Sequence, residues 1–401
     1  MAVTEMSGSR SARLRALHLF LAAIAFAGAF TWFILVWRNR ATAEFWQRDW
    51  FCLWSVGRRL LTGEWRSVYR EACAPGYLWL YPPYAMYPWS GIAHLPPLIA
   101  YAVVMVGSIV ATAAAMMLLA RTLPRERPFE TVALATFGSA AFNATLVTGQ
   151  HAAWLLLAIT GAMWAASRNR SVLTGLFVGL LGFKPNWVVV FVLWLAVTRR
   201  WKALLTTATV GLVLVASTIP LGLDIWRDYL AAATGRIQLS EWTAAGDYPV
   251  WKLITVEAFF RSLFGEGPGV RSLSILTAIG IVLLAAWSWW RRPPDPTRQV
   301  AVATIAVIAA NPYVSFYDAL VLALPAAVWW TAPSKYASRA RVGIGICVVG
   351  VWMGQWIALY ALRLSEQPSL TGGILLAWLA LETLVTRREG ELSAGRPSAV
   401  P

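Results

Sequence analysis

Asp49 lies among Arg40, Arg48, Arg58 and Arg59. Opposite charge at that density keeps a carboxylate ionised, and an ionised carboxylate can take the proton of an attacking hydroxyl. The same arginines, with Lys184 between two short apolar runs, offer the cations that a departing phosphate requires. A base beside cations is the minimal equipment for a hydroxyl that displaces a phosphate. Each residue also has a plainer use. A carboxylate at a helix start caps it, a lysine at a span end snorkels to the interface, and arginines beside lipid meet headgroups.

Further polar residues cluster at breaks in the apolar pattern. Gly149-Gln150-His151 suits a turn, where the pair either touches sugar hydroxyls or is simply solvated, and His151 is the rival base. Tyr81-Pro82-Pro83-Tyr84, followed by Pro88, Pro96 and Pro97, breaks the chain as it enters an apolar run, which in membrane proteins happens where backbone lines a cavity. Asn311-Pro312 makes a late turn, and Asp318 opens the next run, a capping position as well as a site position. Asp224, Asp228, Glu241, Asp247 and Glu257 stand amid Trp226, Trp242, Tyr248 and Trp251. That mixture fits carbohydrate and fits an interfacial helix equally well.

These residues need a scaffold. Of 401 residues, 58% are hydrophobic and 13% charged, where soluble chains carry roughly a quarter charged. A water-soluble protein is excluded. A spanning helix takes about 20 apolar residues, and the apolar runs predict twelve, from Leu17 to Trp37 and near 97–120, 130–147, 152–166, 172–183, 187–198, 203–221, 271–290, 300–311, 318–331, 342–362 and 370–386. The pair at 172–198 is short enough for a re-entrant or broken arrangement. Residues 1–387 read as one membrane-embedded all-α domain and 388–401 as a disordered cytoplasmic tail. Arg121/Arg125/Arg127, Arg168/Arg170, Arg199/Arg200/Lys202, Arg291/Arg292/Arg298 and Lys335/Arg339/Arg341 fall on alternate loops. By the positive-inside rule both termini are cytoplasmic, and the outer side holds two long segments, 38–96 and 222–270. The net charge of +15 is then divided between membrane anchoring and an anionic substrate, with no nucleic-acid module to receive it.

From Arg48 the polar positions Cys52, Ser55, Arg59, Thr62 and Arg66 recur at helical spacing, with Trp50, Leu53, Trp54, Leu60 and Leu61 opposite. This predicts an amphipathic helix in the first outer loop, starting near Asp49, with its tryptophans in lipid and its arginines toward water or a cavity. Cys52 and Cys73 share that segment on the oxidising side; their spacing alone leaves pairing open. Cys347 lies inside a span. No zinc spacing, P-loop or Ser-His-Asp order is present, and no Asp-x-Asp pattern marks a divalent metal, so neither metal nor cofactor is expected.

Taken in order, Asp49, Gly63 to Tyr69 (GEWRSVY), Tyr81-Pro82-Pro83, Gly149-Gln150-His151, the glycine-rich Gly175 to Gly182 ending in Lys184-Pro185, and Asn311-Pro312 resemble glycosyltransferase family 87. These are multispanning mannosyltransferases of the GT-C superfamily. The resemblance implies a GT-C fold, a polyprenyl-phosphate sugar donor entering sideways from the bilayer, and a general base in the first outer loop, the position of Asp49. It implies an integral membrane hexosyltransferase, metal-independent and inverting, acting at the extracytoplasmic face of the cell membrane on a glycolipid or glycan acceptor. On that reading Lys184, Arg58 and Arg59 hold the donor phosphate, and Tyr81, Gln150, His151, Asn311 and Asp318 contact substrate. The family commonly has a histidine near the late turn; here Asn311 to Asp318 has none. Two other classes fit the spans, a lipid or solute transporter or flippase and a polymerase or ligase of lipid-linked glycans. Nearly every charge lies at a span end, whereas a transporter pairs charges in mid-helix.

Overall fold

The structure is a computed structural model that describes residues 40–73, 79–234, 253–291, 295–333, 336, 338–360 and 370–394, with isolated helical positions at Ala23, Ala27 and Ile34. The described residues form helices and no strand. In chain order they are α1 (Arg40–Thr62), α2 (Met86–Ala93), α3 (Pro97–Thr122), α4 (Phe129–Phe137), α5 (Ala140–Thr148), α6 (Ala152–Ser167), α7 (Ser171–Leu180), α8 (Pro185–Val197), α9 (Trp201–Ala216), α10 (Asp224–Ala233), α11 (Val256–Phe264), α12 (Pro268–Trp290), α13 (Pro296–Ala310), α14 (Ala323–Thr331), α15 (Ser338–Tyr360) and α16 (Thr371–Ala394). Three are long and apolar enough to cross a membrane, α3, α12 and α9 with its continuation to Leu221, and the bent pair α4 and α5 passes the same test together.

Local chemistry explains the boundaries. Proline occupies the first helical position of α3, α8, α12 and α13, where its missing N–H costs nothing. The run expected as one span at 130–147 is instead two helices bent by 44°. The break falls at Gly138 and Ser139, whose extended backbone starts a new helix and whose hydroxyl accepts from the Phe142 amide at 3.1 Å. The expected break at 172–198 is present as a tight turn at Leu181–Phe183 between α7 and α8.

Packing divides into a large core and a smaller one. The large core centres on α6, α13 and the tight helical turn Phe316–Leu322, buried almost all round, as expected for helices enclosed by other helices. Between apolar helices in lipid, close approach replaces hydrophobic drive. Gly175 and Gly179 supply it: a Cβ on Gly175 would stand 2.3 Å from the Ala203 carbonyl oxygen of α9, and one on Gly179 2.6 Å from Val210. The hydroxyl of Thr207 donates across that contact to the Gly175 carbonyl at 3.1 Å. The glycine-rich stretch is therefore a helix-packing seam.

The smaller core joins α1 and α2 to the start of α3 and to α10. Two expectations change here. α1 begins at Arg40, so Asp49 lies in its third turn and cannot be its N-cap. The stripe expected to face water or a cavity is covered over its middle, while Thr62 and Arg66 stay exposed: Cys52 is disulfide-bonded to Cys73, the Ser55 hydroxyl donates to the Cys73 carbonyl at 2.8 Å, and Arg59 donates to the Ser67 hydroxyl and the Ala72 carbonyl. The returning loop was invisible to a reading of one helix at a time. The first expected span, apart from its three isolated positions, and Glu241, Trp242, Asp247, Tyr248 and Trp251 lie outside the described residues. α16 runs to Ala394, so helix extends past Arg388, and of the expected tail only 395–401 lies beyond it, outside the described residues.

Candidate functional site

Four segments distant in sequence meet around Lys184. Pro185 disfavours helical backbone at the residue before it, and Lys184 is extended, at φ −117° and ψ 91°. It leaves the chain between α7 and α8 and reaches the 316–322 turn, where Nζ donates to Asp318 Oδ1 at 2.8 Å. Both residues are buried, 8% and 1% exposed. A lone buried cation would be prohibitive; a hydrogen-bonded pair is tolerable. Asp318 is fixed in turn, its other oxygen accepting from the Ser315 amide at 3.4 Å within a capping box. The capping reading of Asp318 is thus realised, and its remaining oxygen holds Lys184. The Tyr317 and Tyr81 rings flank Lys184 at 5.6 and 6.0 Å.

Tyr81 brings the first loop to the same place. Its hydroxyl donates to Gln150 Oε1 at 3.3 Å, and that oxygen also lies 3.2 Å from His151 Nδ1. Gly149 makes this geometry possible, closing α5 in the left-handed conformation at φ 65°, which glycine adopts without strain. The His151 ring is boxed by Phe183 at 4.6 Å, Tyr81 at 5.1 Å and Trp89 at 5.1 Å. Burial, and then the nearby Lys184 charge, hold its imidazole well below the usual histidine range. In this turn between α5 and α6 the ring is neutral, and Nε2 is buried with no hydrogen-bond partner among the described residues.

The Asp49 turn of α1 packs on this assembly. Trp50 meets Trp89 edge-to-face at 6.2 Å and Tyr101 at a tilt at 5.6 Å, and it abuts Gly149, where a Cβ would lie 3.1 Å from its ring. Asp49 shares a helix face with Leu53 and Val56 at i+4 and i+7, both fully buried; half-buried itself, it stands where that stripe opens. The Gly149–His151 turn therefore lies between the Asp49 turn and the Lys184–Asp318 pair.

Other expected residues are placed elsewhere. Arg58 is exposed, on the face of α1 opposite Asp49. Arg59 is committed to the loop through Ser67, Ala72 and Glu71, the last at 3.4 Å. Asn311 is buried and shapes its turn by accepting from the Tyr313 amide at 3.0 Å, while its Nδ2 has no hydrogen-bond partner among the described residues. Asp228 is held by a two-pronged contact from Arg70 at 3.0 and 3.2 Å, which ties α10 to the first loop, and Trp226 donates to Thr218, which ties it to the continuation of α9. Sequence reading missed Tyr317, Phe183 and Trp89 as walls. Only their adjacency to Asp318, Lys184 and the Pro88 break could have flagged them.

One family model, Glycosyltransferase family 87, matches residues 79–314. No curated protein matches the chain.

Proposed function

The chain belongs to glycosyltransferase family 87, and on that premise we propose that it moves a hexose, mannose by the family's pattern, from a polyprenyl-phosphate donor to a lipid-linked or glycan acceptor. The reading includes a GT-C fold with about twelve spans, both termini cytoplasmic, and reaction at the extracytoplasmic face of the cell membrane without a metal. The observation that carries it is the packing of the Asp49 turn on Gly149–His151, with Lys184 held by Asp318 behind.

In this reading the Asp49 carboxylate takes the acceptor hydroxyl proton as the acceptor oxygen attacks the anomeric carbon. The bond from that carbon to phosphate breaks on the opposite face, the configuration inverts, and the phosphate leaves with the electron pair. Lys184 offsets the charge that develops there. Neutral His151 and Gln150 are suited to sugar hydroxyls, since each offers both a donor and an acceptor. Tyr81 orients Gln150.

The test is transfer itself. Purified protein incubated with polyprenyl-phosphate mannose and a membrane lipid extract should add a hexose to a lipid or glycan, detected by mass spectrometry. Asp49→Asn keeps size and hydrogen bonding, and a positioned base contributes about 10² to 10⁴-fold. The variant should fold, bind donor and lose at least about a hundredfold in turnover. Retention of a tenth of wild-type turnover would refute the assignment and leave His151 and Asp318 as the bases to test.

A further inference from the structure

α8 starts beside Lys184, and at its other end stands a second group of cations that the proposed reaction does not use. Loops distant in sequence are gathered there. Arg168 donates to the Arg121 carbonyl at 3.2 Å, Arg200 donates to the Ala166 carbonyl at 3.4 Å, and the Arg199 guanidinium lies over the Trp290 ring at 5.7 Å. These contacts join the ends of α3, α6, α8 and α12. Arg121, Arg168, Arg170, Arg199, Lys202 and Arg291 are exposed at this end, and none of the six is paired with a carboxylate among the described residues. Like charges gathered in this way repel unless an anion intervenes. The exposed carboxylates Glu126 and Glu130 stand beside α4, and Asp295 is committed to the Thr297 amide as the cap of α13.

The arginines are held in one particular way. Arg168 and Arg170 both lie over the Trp164 ring at 5.1 Å, and Arg291 lies over Trp287 at 5.3 Å. Stacking occupies the face of a guanidinium and leaves the N–H groups at its rim, which are the groups that grip a phosphate. Arg199 is held against its backbone preference. Its φ of 55° puts it in the left-handed region just past α8, a position that favours glycine. Strain of that kind persists where a side chain is used.

What borders the cations separates a lipid from a soluble anion. On α12 the exposed residues Leu276, Leu283 and Trp290 recur every seventh position, and on α9 exposed Trp201, Leu205 and Leu212 share a face. Both helices are long and apolar enough to cross a membrane, and α8 packs against each of them. An apolar wall that ends in indoles and guanidinium rims fits hydrocarbon chains that end in a phosphate. We propose that this end of the bundle binds an anionic phospholipid, its phosphodiester held by Arg199 with Arg291 and Lys202 and its chains lying along α9 and α12. The site is separate from the one assigned to sugar transfer and does not depend on that assignment.

The test is lipid retention by the full-length protein in detergent, read by native mass spectrometry with phosphatidylglycerol and phosphatidylcholine of identical acyl chains. Wild type should hold phosphatidylglycerol at least about tenfold more tightly, the worth of one charge-assisted contact. Arg199→Gly should lose about tenfold of that affinity and yet unfold no earlier than wild type in phosphatidylcholine nanodiscs, because glycine adopts the left-handed backbone without strain. Arg227→Gln, on α10 beyond the far end of α9, removes the same charge from an exposed side chain and should leave retention unchanged. Equal retention of the two lipids, or an equal loss in Arg227→Gln, would reduce the effect to net charge and overturn the proposal. Displacement of the lipid by inorganic phosphate, against chloride at the same ionic strength, would overturn it in favour of a soluble anion, and displacement by polyglutamate in favour of an acidic protein. If Arg199→Gly lost stability together with lipid, Arg291→Gln would decide: it should lose the preference for phosphatidylglycerol at an unchanged unfolding midpoint, and a preference that survived would refute the site.

Discussion

Removing one member of the Lys184–Asp318 pair should cost far more than removing both. In Asp318→Asn the lysine keeps its position, 8% exposed, and loses the only anion bonded to it at 2.8 Å among the described contacts. Stranding one charge of a buried pair costs about 3 to 5 kcal/mol. Asn can still accept from the Ser315 amide, so the capping contact at 3.4 Å survives and the loss reports the charge. Replacing both partners with apolar residues of similar volume is often neutral or stabilising; Lys184→Met with Asp318→Leu should therefore unfold close to wild type in detergent, followed by tryptophan fluorescence. Either single variant should shift the folded-to-unfolded ratio by roughly a hundred to a few thousandfold. The double variant has no cation for the phosphate and should remain poor in transfer, with donor affinity down about thirtyfold for the lost charge-assisted contact. A double variant as unstable as the singles would refute the reasoning, because volume or capping would then explain the losses.

Three further outcomes follow from other contacts. Arg59→Ala should destabilise by about 1 kcal/mol, because it releases the loop at Ser67 and Ala72, whereas exposed Arg58→Ala should stay within about 0.5 kcal/mol; equal effects in the same unfolding assay would contradict the two placements. Gly175→Val would place side-chain atoms against the Ala203 carbonyl and should cost about 1 to 3 kcal/mol, a loss that a clean wild-type midpoint would disprove. Because burial and Lys184 depress the His151 pKa, the unfolded chain binds the extra proton first as pH falls. Stability is then full above about pH 6.5 and declines below it, by up to about 1.4 kcal/mol per pH unit. His151→Gln should flatten that decline between pH 7.5 and 5, and an unchanged slope would place its origin elsewhere.

Local signals made the helices legible. The expected run at 271–290 is α12 at Pro268–Trp290, and the one at 203–221 is α9 with its continuation to Leu221, because apolar runs punctuated by proline, glycine and arginine are properties of short segments. Asp49 was misplaced within its helix because the polar stripe was followed only from Arg48, whereas the described helix already runs from Arg40. The site itself is tertiary. Lys184 and Asp318 are 134 residues apart, and Arg70 finds Asp228 across 158; no spacing rule connects either pair. The polar stripe of α1 had the right period and the wrong surroundings, since only the returning loop decides whether Ser55 and Arg59 meet water or carbonyl groups. The glycine-rich stretch was legible as a pattern, and its use as a packing seam follows from the helix it faces.

Under the proposed topology, the Cys52–Cys73 bond also bears on when the protein can mature. It ties α1 to the loop that carries buried Tyr69, whose hydroxyl donates to the Tyr81 carbonyl at 2.6 Å. Disulfides form where the surroundings oxidise thiols and stay open where glutathione keeps them reduced. On the proposed topology, a chain still threading from a reducing compartment carries this wall unfastened. Completion of the pocket would then wait until the loop has crossed, a late event in biogenesis coupled to export.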